Sequence, residues 1–246
     1  MNEWLFDLGN SRLKFAPLLA DGSVGDMVGI EHDGTGFADG WEARLPARID
    51  AAHVASVAAP GLRAGLLDVF AARSGRIGLA STQRRWHGLE IAYAEPARLG
   101  VDRFLALLAA HARGGAWLVV GVGTALTVDL VDGAGRHHGG RIAPSPALMR
   151  EALHARARQL PAQGGTYREF ADDTDGALAS GCLGAALALV ERSRDAARHL
   201  LGAAPSLLLH GGGAAALSPH LVDAVTDPML VLRGLARWAR PSPDRP

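Results

Sequence analysis

The stretch Trp4-Leu5-Phe6-Asp7-Leu8-Gly9-Asn10-Ser11-Arg12-Leu13-Lys14 decides how this chain is read. Apolar runs over 3–8 and 12–19 flank a small polar loop, and an Asp21-Gly22 turn follows, which is the pattern of a β-hairpin. Residues 117–133 repeat it: apolar strand, Gly121-Val122-Gly123-Thr124-Ala125, apolar strand, Asp132-Gly133. Two explanations stand at this point. Either a domain is duplicated, with a boundary near Gly114-Gly115, or two unrelated hairpins share a short menu of turn residues.

Working outward, short Val/Leu/Ile-rich runs predict further strands at 51–57 and 206–210, with 116–122 and 125–131 forming the second hairpin. Apolar residues recur every three or four positions over 61–73, 99–113, 146–160 and 175–200, which predicts helices. Alternation of such strands and helices makes this an α/β chain. Its 246 residues suffice for one large domain or two, expected at 1–114 and 115–246.

Composition removes whole classes of function. With 48% hydrophobic and 20% charged residues the chain is neither disordered nor fibrous. The 25 basic residues cancel the 25 acidic ones, so bulk charge supports neither nucleic-acid nor membrane binding. The most apolar stretches, 116–128 and 178–190, fall short of the roughly 20 residues of a membrane helix. An acid at the third position does not read as an export signal. Cys182 is the sole cysteine, which excludes an intrachain disulfide and a cysteine zinc site, so a reducing cytoplasm is expected. Among the basic residues Lys14 is the single lysine.

Three segments carry residue types suited to chemistry. In Asp7 to Lys14, Gly9 permits close backbone approach, Asn10 and Ser11 offer phosphate contacts, and Asp7 suits Mg²⁺. Strand parity puts Arg12 and Lys14 on one side, where two cations reach phosphates; a solvated hairpin turn is the other reading. Gly123-Thr124-Ala125 has the same small, hydroxyl-bearing character, and His210-Gly211-Gly212-Gly213 ends an apolar strand in glycines, either a ligand approach or a flexible turn. In Tyr93 to Arg103, Asp102 reads equally as a helix first-turn acid or as a general base for a hydroxyl attacking a γ-phosphate, with Arg103 available for a fork contact.

In order and spacing, Asp7-x-Gly9-Asn10-Ser11-x-x-Lys14, Tyr93-x-x-Pro96-x-x-x-Gly100-x-Asp102-Arg103, and Gly123-Thr124-Ala125-x-Thr127-x-Asp129 resemble the type III pantothenate kinases. Gly139-Gly140-x-Ile142-x-Pro144, Leu160-Pro161, Thr174-x-x-Ala177-x-x-Ser180-Gly181 and Gly211-Gly212 continue the likeness over essentially the whole chain. The resemblance implies an α/β fold of two RNase H-like domains, the architecture of acetate and sugar kinases, Hsp70 and actin, with a nucleotide cleft between them. It implies ATP- and Mg²⁺-dependent phosphorylation of pantothenate to 4'-phosphopantothenate, the first step towards coenzyme A, in a cytoplasmic homodimer. Asp102 corresponds to the catalytic proton acceptor. Asp7, Leu8, Gly9, Asn10, Ser11, Arg12, Leu13, Lys14 and Thr124 correspond to ATP contacts, with Asp7 near Mg²⁺. Tyr93, Gly100, Val101, Asp102, Arg103 and Thr174 correspond to substrate contacts.

The chain departs from the family pattern at three positions. Gly121 stands where the family has an Asp described as binding a monovalent cation, so K⁺ or NH₄⁺ dependence is not expected. Ser145 replaces a usual Gly, and Asp173 a frequent Asn. These departures keep two alternatives in play, a regulatory accessory factor and a kinase of this fold for another hydroxylated substrate. Zero net charge and 5% aromatics give the first no support. His137-His138 reads as a solvated turn, Trp86-His87 and Trp238 as packing, Cys182 as a small core residue, and Pro241 to Pro246 as a disordered tail.

Overall fold

A computed structural model describes residues 2–243. They form two compact units, one of residues up to Arg113 with Ala134–Arg136 and the chain from Met229 on, the other of Gly114–Gly133 and His137–Pro228. This grouping differs from the expected domains, 1–114 and 115–246, at Ala134–Arg136 and from Met229 on.

The first unit is built on a sheet of β1 (Glu3–Leu8), β2 (Arg12–Leu18), β3 (Val28–Glu31), β4 (Ala51–Ser56) and β5 (Ile77–Leu79) in the order β3-β2-β1-β4-β5. β1, β2 and β3 form an antiparallel meander; β4 runs parallel to β1 and β5 parallel to β4. Period-two alternation sends Phe6 and Leu8 to one face, where they meet Phe15 and, from α1 (Pro60–Ala71), Leu66 and Phe70. Phe6 lies 4.2 Å from Phe70 and 5.6 Å from Phe15 between ring centroids, so aromatic contact supplies much of this core. Leu5 and Asp7 face the other way. A short hairpin, β6 (Arg85–Trp86) and β7 (Leu89–Glu90), leads to α2 (Val101–His111), which is buried along most of its length.

The second unit repeats this plan: β8 (Trp117–Val122), β9 (Ala125–Val131), β10 (His137–Pro144), β11 (Ser206–His210) and β12 (Ala224–Thr226) lie in the order β10-β9-β8-β11-β12. Again the first three are antiparallel and the last two join in parallel. Identical strand order and directions make the two hairpins equivalent elements of one repeated fold and remove the chance-likeness alternative. The core gathers Leu118, Val120 and Val122 against Ala186, Leu187 and Val190 of α4 (Thr174–Leu201), which follows α3 (Pro146–Arg156). α4 starts at an Asp173 cap and stops at Gly202, whose φ of 76° satisfies the left-handed position that ends a helix. No helix among the described residues is long and apolar enough to cross a membrane.

α5 (Ala214–Leu217) is one turn long, and α6 (Leu230–Trp238) packs on α2 in the first unit. The α2–α6 contact depends on a glycine: a Cβ at Gly234 would lie 2.0 Å from the Leu105 carbonyl oxygen. Two sequence readings are corrected here. His137 and His138 open β10 instead of forming a solvated turn; His137 is 1% exposed, its Nε2 3.1 Å from Asp129 Oδ1, and His138 Nε2 lies 2.7 Å from Asp132 Oδ2. Within the expected disordered tail, Ser242 is buried and its hydroxyl accepts the His87 N–H at 3.0 Å, while Pro241 and Pro243 are exposed; 244–246 lie outside the described residues.

Candidate active site

The first loop sits at the carboxyl end of β1. Asp7 pairs directly with Lys14 and Leu8 with Leu13, and the turn closes by the Gly9 N–H donating to the Arg12 carbonyl at 3.0 Å. Asn10, Ser11 and Arg12 are exposed at its tip. Leu8 and Leu13 have no exposed surface, so they offer a ligand only backbone while their side chains anchor the turn in the core. Arg12 is turned to β3, where its guanidinium meets Glu31 Oε1 at 2.6 Å.

Asp7 is 9% exposed, and its surroundings work against ionisation. Burial raises its carboxyl from an ordinary 3.8 to about 7; the Lys14 ammonium opposes the rise, and the Asp102 carboxylate adds to it. Two carboxylates and one ammonium thus converge within the first unit. Among the described residues no group of three or more His, Cys, Asp and Glu forms a metal cage. Such a donor set suits Mg²⁺ arriving on nucleotide phosphates, because that ion keeps several waters and takes one or two carboxylates.

Asp102 stands in the first turn of α2, whose N-cap is Gly100. A Cβ on Gly100 would come 2.6 Å from Asp102 Oδ1, so the carboxylate folds back over the helix start and glycine lets it lie there. Leu99, just before, has its carbonyl held by the Thr82 hydroxyl at 2.8 Å. Arg103 is 6% exposed; its Nη1 lies 3.3 Å from the Tyr93 hydroxyl and its guanidinium carbon 5.9 Å from the Tyr93 ring centroid. The predicted substrate contacts Tyr93, Gly100, Val101, Asp102 and Arg103 are therefore assembled in one unit with Asp7 and Lys14.

Thr124 and Thr174 belong to the second unit. Thr124 is exposed between β8 and β9, and Thr174 is exposed at the first position of α4. The second loop is fastened at two points. Ser145 N–H donates to the Thr124 carbonyl at 3.4 Å, and Gly213 N–H donates to the Val122 carbonyl at 2.9 Å. Gly211, with φ of 93°, passes so close that a Cβ would lie 2.4 Å from the Val122 oxygen, which explains the glycine at that position.

All three departures have structural accounts. Ser145 caps α3, accepting from Leu148 N–H at 3.2 Å, and Asp173 caps α4, accepting from Gly176 N–H at 2.7 Å. Serine, aspartate and asparagine are comparable caps, and glycine is tolerated, so neither change disturbs its helix. At Gly121 a Cβ would meet Thr127 Oγ1 at 2.6 Å and His210 Nε2 at 2.9 Å. Register puts these three residues in one row across β9, β8 and β11. Asp129, two positions further along β9, is buried with His137. Thr127 and His210 stand in motifs that the sequence shows, but neither was placed beside Gly121, because that adjacency arises only from the register of β9, β8 and β11.

Residues 4–196 match the family model described as type III pantothenate kinase. The chain belongs to the type III pantothenate kinase family. A type III pantothenate kinase of Stenotrophomonas maltophilia (strain K279a) is 58% identical over 239 residues, covering 97% of this chain and 98% of the relative. The enzymes of that name from Xanthomonas campestris pv. campestris (strain B100) and Xylella fastidiosa (strain M23) are 54% and 52% identical, each covering 97% of this chain and 98% of the relative. Among solved structures, a Campylobacter jejuni protein described as a Baf family transcriptional activator matches with a TM-score of 0.63 at 20% identity, covering 94% of both chains. A Sinorhizobium meliloti protein described as a 2-dehydro-3-deoxygalactonokinase matches with a TM-score of 0.57 at 19% identity, covering 97% of this chain and 98% of its own. These structural likenesses show the fold that this chain shares with the two proteins.

Proposed function

We propose that this type III pantothenate kinase family member transfers the γ-phosphoryl group of ATP to the primary hydroxyl of pantothenate. The observation that carries the reading is 58% identity over 97% of the chain to an enzyme of that name. The site supplies the chemistry. Phosphoryl transfer asks mainly for positioning and charge neutralisation. Asp102 accepts the hydroxyl proton as the oxygen bonds to the γ-phosphorus; the bond from that phosphorus to the bridging oxygen breaks, and ADP leaves. Lys14 and the amides of the Asp7–Lys14 loop take up phosphate charge, with Thr124 as a further ATP contact. Arg103, oriented by Tyr93, forks onto a carboxylate such as that of pantothenate, with Gly100, Val101 and Thr174 as further substrate contacts. Asp7 would hold Mg²⁺ arriving on the nucleotide phosphates, and that ion would supply charge neutralisation for the transferred group.

Gly121 brings no carboxylate to the row it shares with Thr127 and His210, which supports activity without K⁺ or NH₄⁺. Membership of the family supports a homodimer; light scattering is expected to read the mass of two chains, and a single-chain mass contradicts it. A coupled ADP-release assay tests the activity. Turnover is expected with pantothenate and not with a panel of sugars and acetate; turnover with a sugar alone contradicts the assignment.

A further inference from the structure

His32 follows β3 and touches the first loop without belonging to it. Its Nε2 lies 3.0 Å from the Gly9 carbonyl oxygen, while its Nδ1 accepts the Gly34 N–H at 3.1 Å. A ring nitrogen that accepts an N–H carries no hydrogen, so this network assigns the ring hydrogen to Nε2, which donates to Gly9. The main chain of His32 also donates to the Ser11 carbonyl at 3.2 Å. The ring itself is braced. Phe37 meets it edge-on at 5.4 Å and stacks on Trp41 at 4.0 Å, and the intervening turn is tied by Asp33 Oδ1 accepting from Thr35 and Gly36 N–H, both at 2.8 Å.

A trans peptide is planar, and its C=O and N–H point in opposite directions. Every described peptide bond is trans. Holding the Gly9 carbonyl towards His32 therefore turns the Asn10 N–H away from His32, out of the turn. Glycine at position 9 makes the reverse orientation cheap, and that orientation would present a carbonyl oxygen where a donor is wanted. We propose that His32 is a positioning residue for nucleotide binding: its bond to Gly9 fixes the Gly9–Asn10 peptide so that the Asn10 N–H is available to a phosphate oxygen. This rests on the reading that Asp7–Lys14 binds ATP.

Steady-state kinetics of His32→Ala and His32→Gln test it. In the alanine variant KM for ATP is expected to rise about five- to tenfold, the weight of one hydrogen bond, with kcat and KM for pantothenate changed by less than about twofold. A glutamine amide places an N–H donor at similar reach, so His32→Gln is expected to recover most of the loss. An unchanged KM for ATP in His32→Ala overturns the proposal. So does an equal loss in both variants accompanied by a lower melting temperature, which marks a merely structural role. Chemical labelling separates this from the underlying reading, because Lys14 is the only lysine. Mg-ATP is expected to protect Lys14 of the unsubstituted protein from an amine reagent. No protection removes the loop reading and the proposal with it; protection alongside a normal KM in His32→Ala removes the role of His32 alone.

Discussion

Asp7 occupies a position where a carboxylate is costly, and the cost has a measurable sign. Its folded-state pKa near 7 lies above the ordinary 3.8, so the folded protein holds this proton over a range where the unfolded chain has lost it. The contribution favours folding below about pH 4, is lost as pH rises towards 7, and stays constant above. At about 1.4 kcal/mol per unit the total is a few kcal/mol. Thermal denaturation of the nucleotide-free protein beside Asp7→Asn is expected to show a stability gap that widens in the variant's favour between pH 4 and 7. A gap independent of pH contradicts the burial of an ionisable carboxylate there. Not all such placement was visible in the sequence. Asp102 and Arg103 were singled out by matching a family pattern, since a first-turn aspartate on its own is an ordinary helix feature. His32 had no signal at all, because its role arises from a contact across 23 positions of chain that β3 creates.

At the scale of elements, the site depends on where α2 is held, and α6 holds it. Gly234→Ala drives a Cβ against the Leu105 backbone, which cannot rotate aside, and overpacking of this kind costs about 1–3 kcal/mol. The same substitution at Gly65, inside α1 with nothing within 4 Å of its added Cβ, is expected to stabilise by ~0.5–1 kcal/mol. Melting temperatures moving in the same direction in both variants would contradict this packing. The row Gly121, Thr127 and His210 makes a second element-level prediction: turnover is expected to be equal in Na⁺, K⁺, NH₄⁺ and Tris buffers, and strong activation by K⁺ contradicts it. Strands with long apolar runs were legible from sequence, whereas β10 was not. Its His137-His138-Gly139-Gly140 opening carries turn residues, and only pairing with β9 makes it a strand. β3 and β12 are too short for alternation to register, and the α6 segment lies beyond the last predicted strand, in a region read only through Trp238 and the tail.

For the whole molecule, the repeated strand order turns a likeness between two hairpins into a duplicated fold, and that repetition was legible at 4–22 and 117–133. The assignment of α6 to the first unit was not, because it depends on helix packing that no local pattern encodes. The central claim concerns what the folded chain does with ATP and pantothenate. Its most direct test is to incubate the protein with both, with Mg²⁺ present, and to quantify 4'-phosphopantothenate formed by the unsubstituted chain and by Asp102→Asn. Stoichiometric conversion of ATP to ADP and 4'-phosphopantothenate is expected, with kcat lowered roughly 10²- to 10⁴-fold in the variant while the fold is retained. Absence of product from the unsubstituted chain would contradict the proposed activity, and near-normal turnover by Asp102→Asn would contradict the role given to that carboxylate.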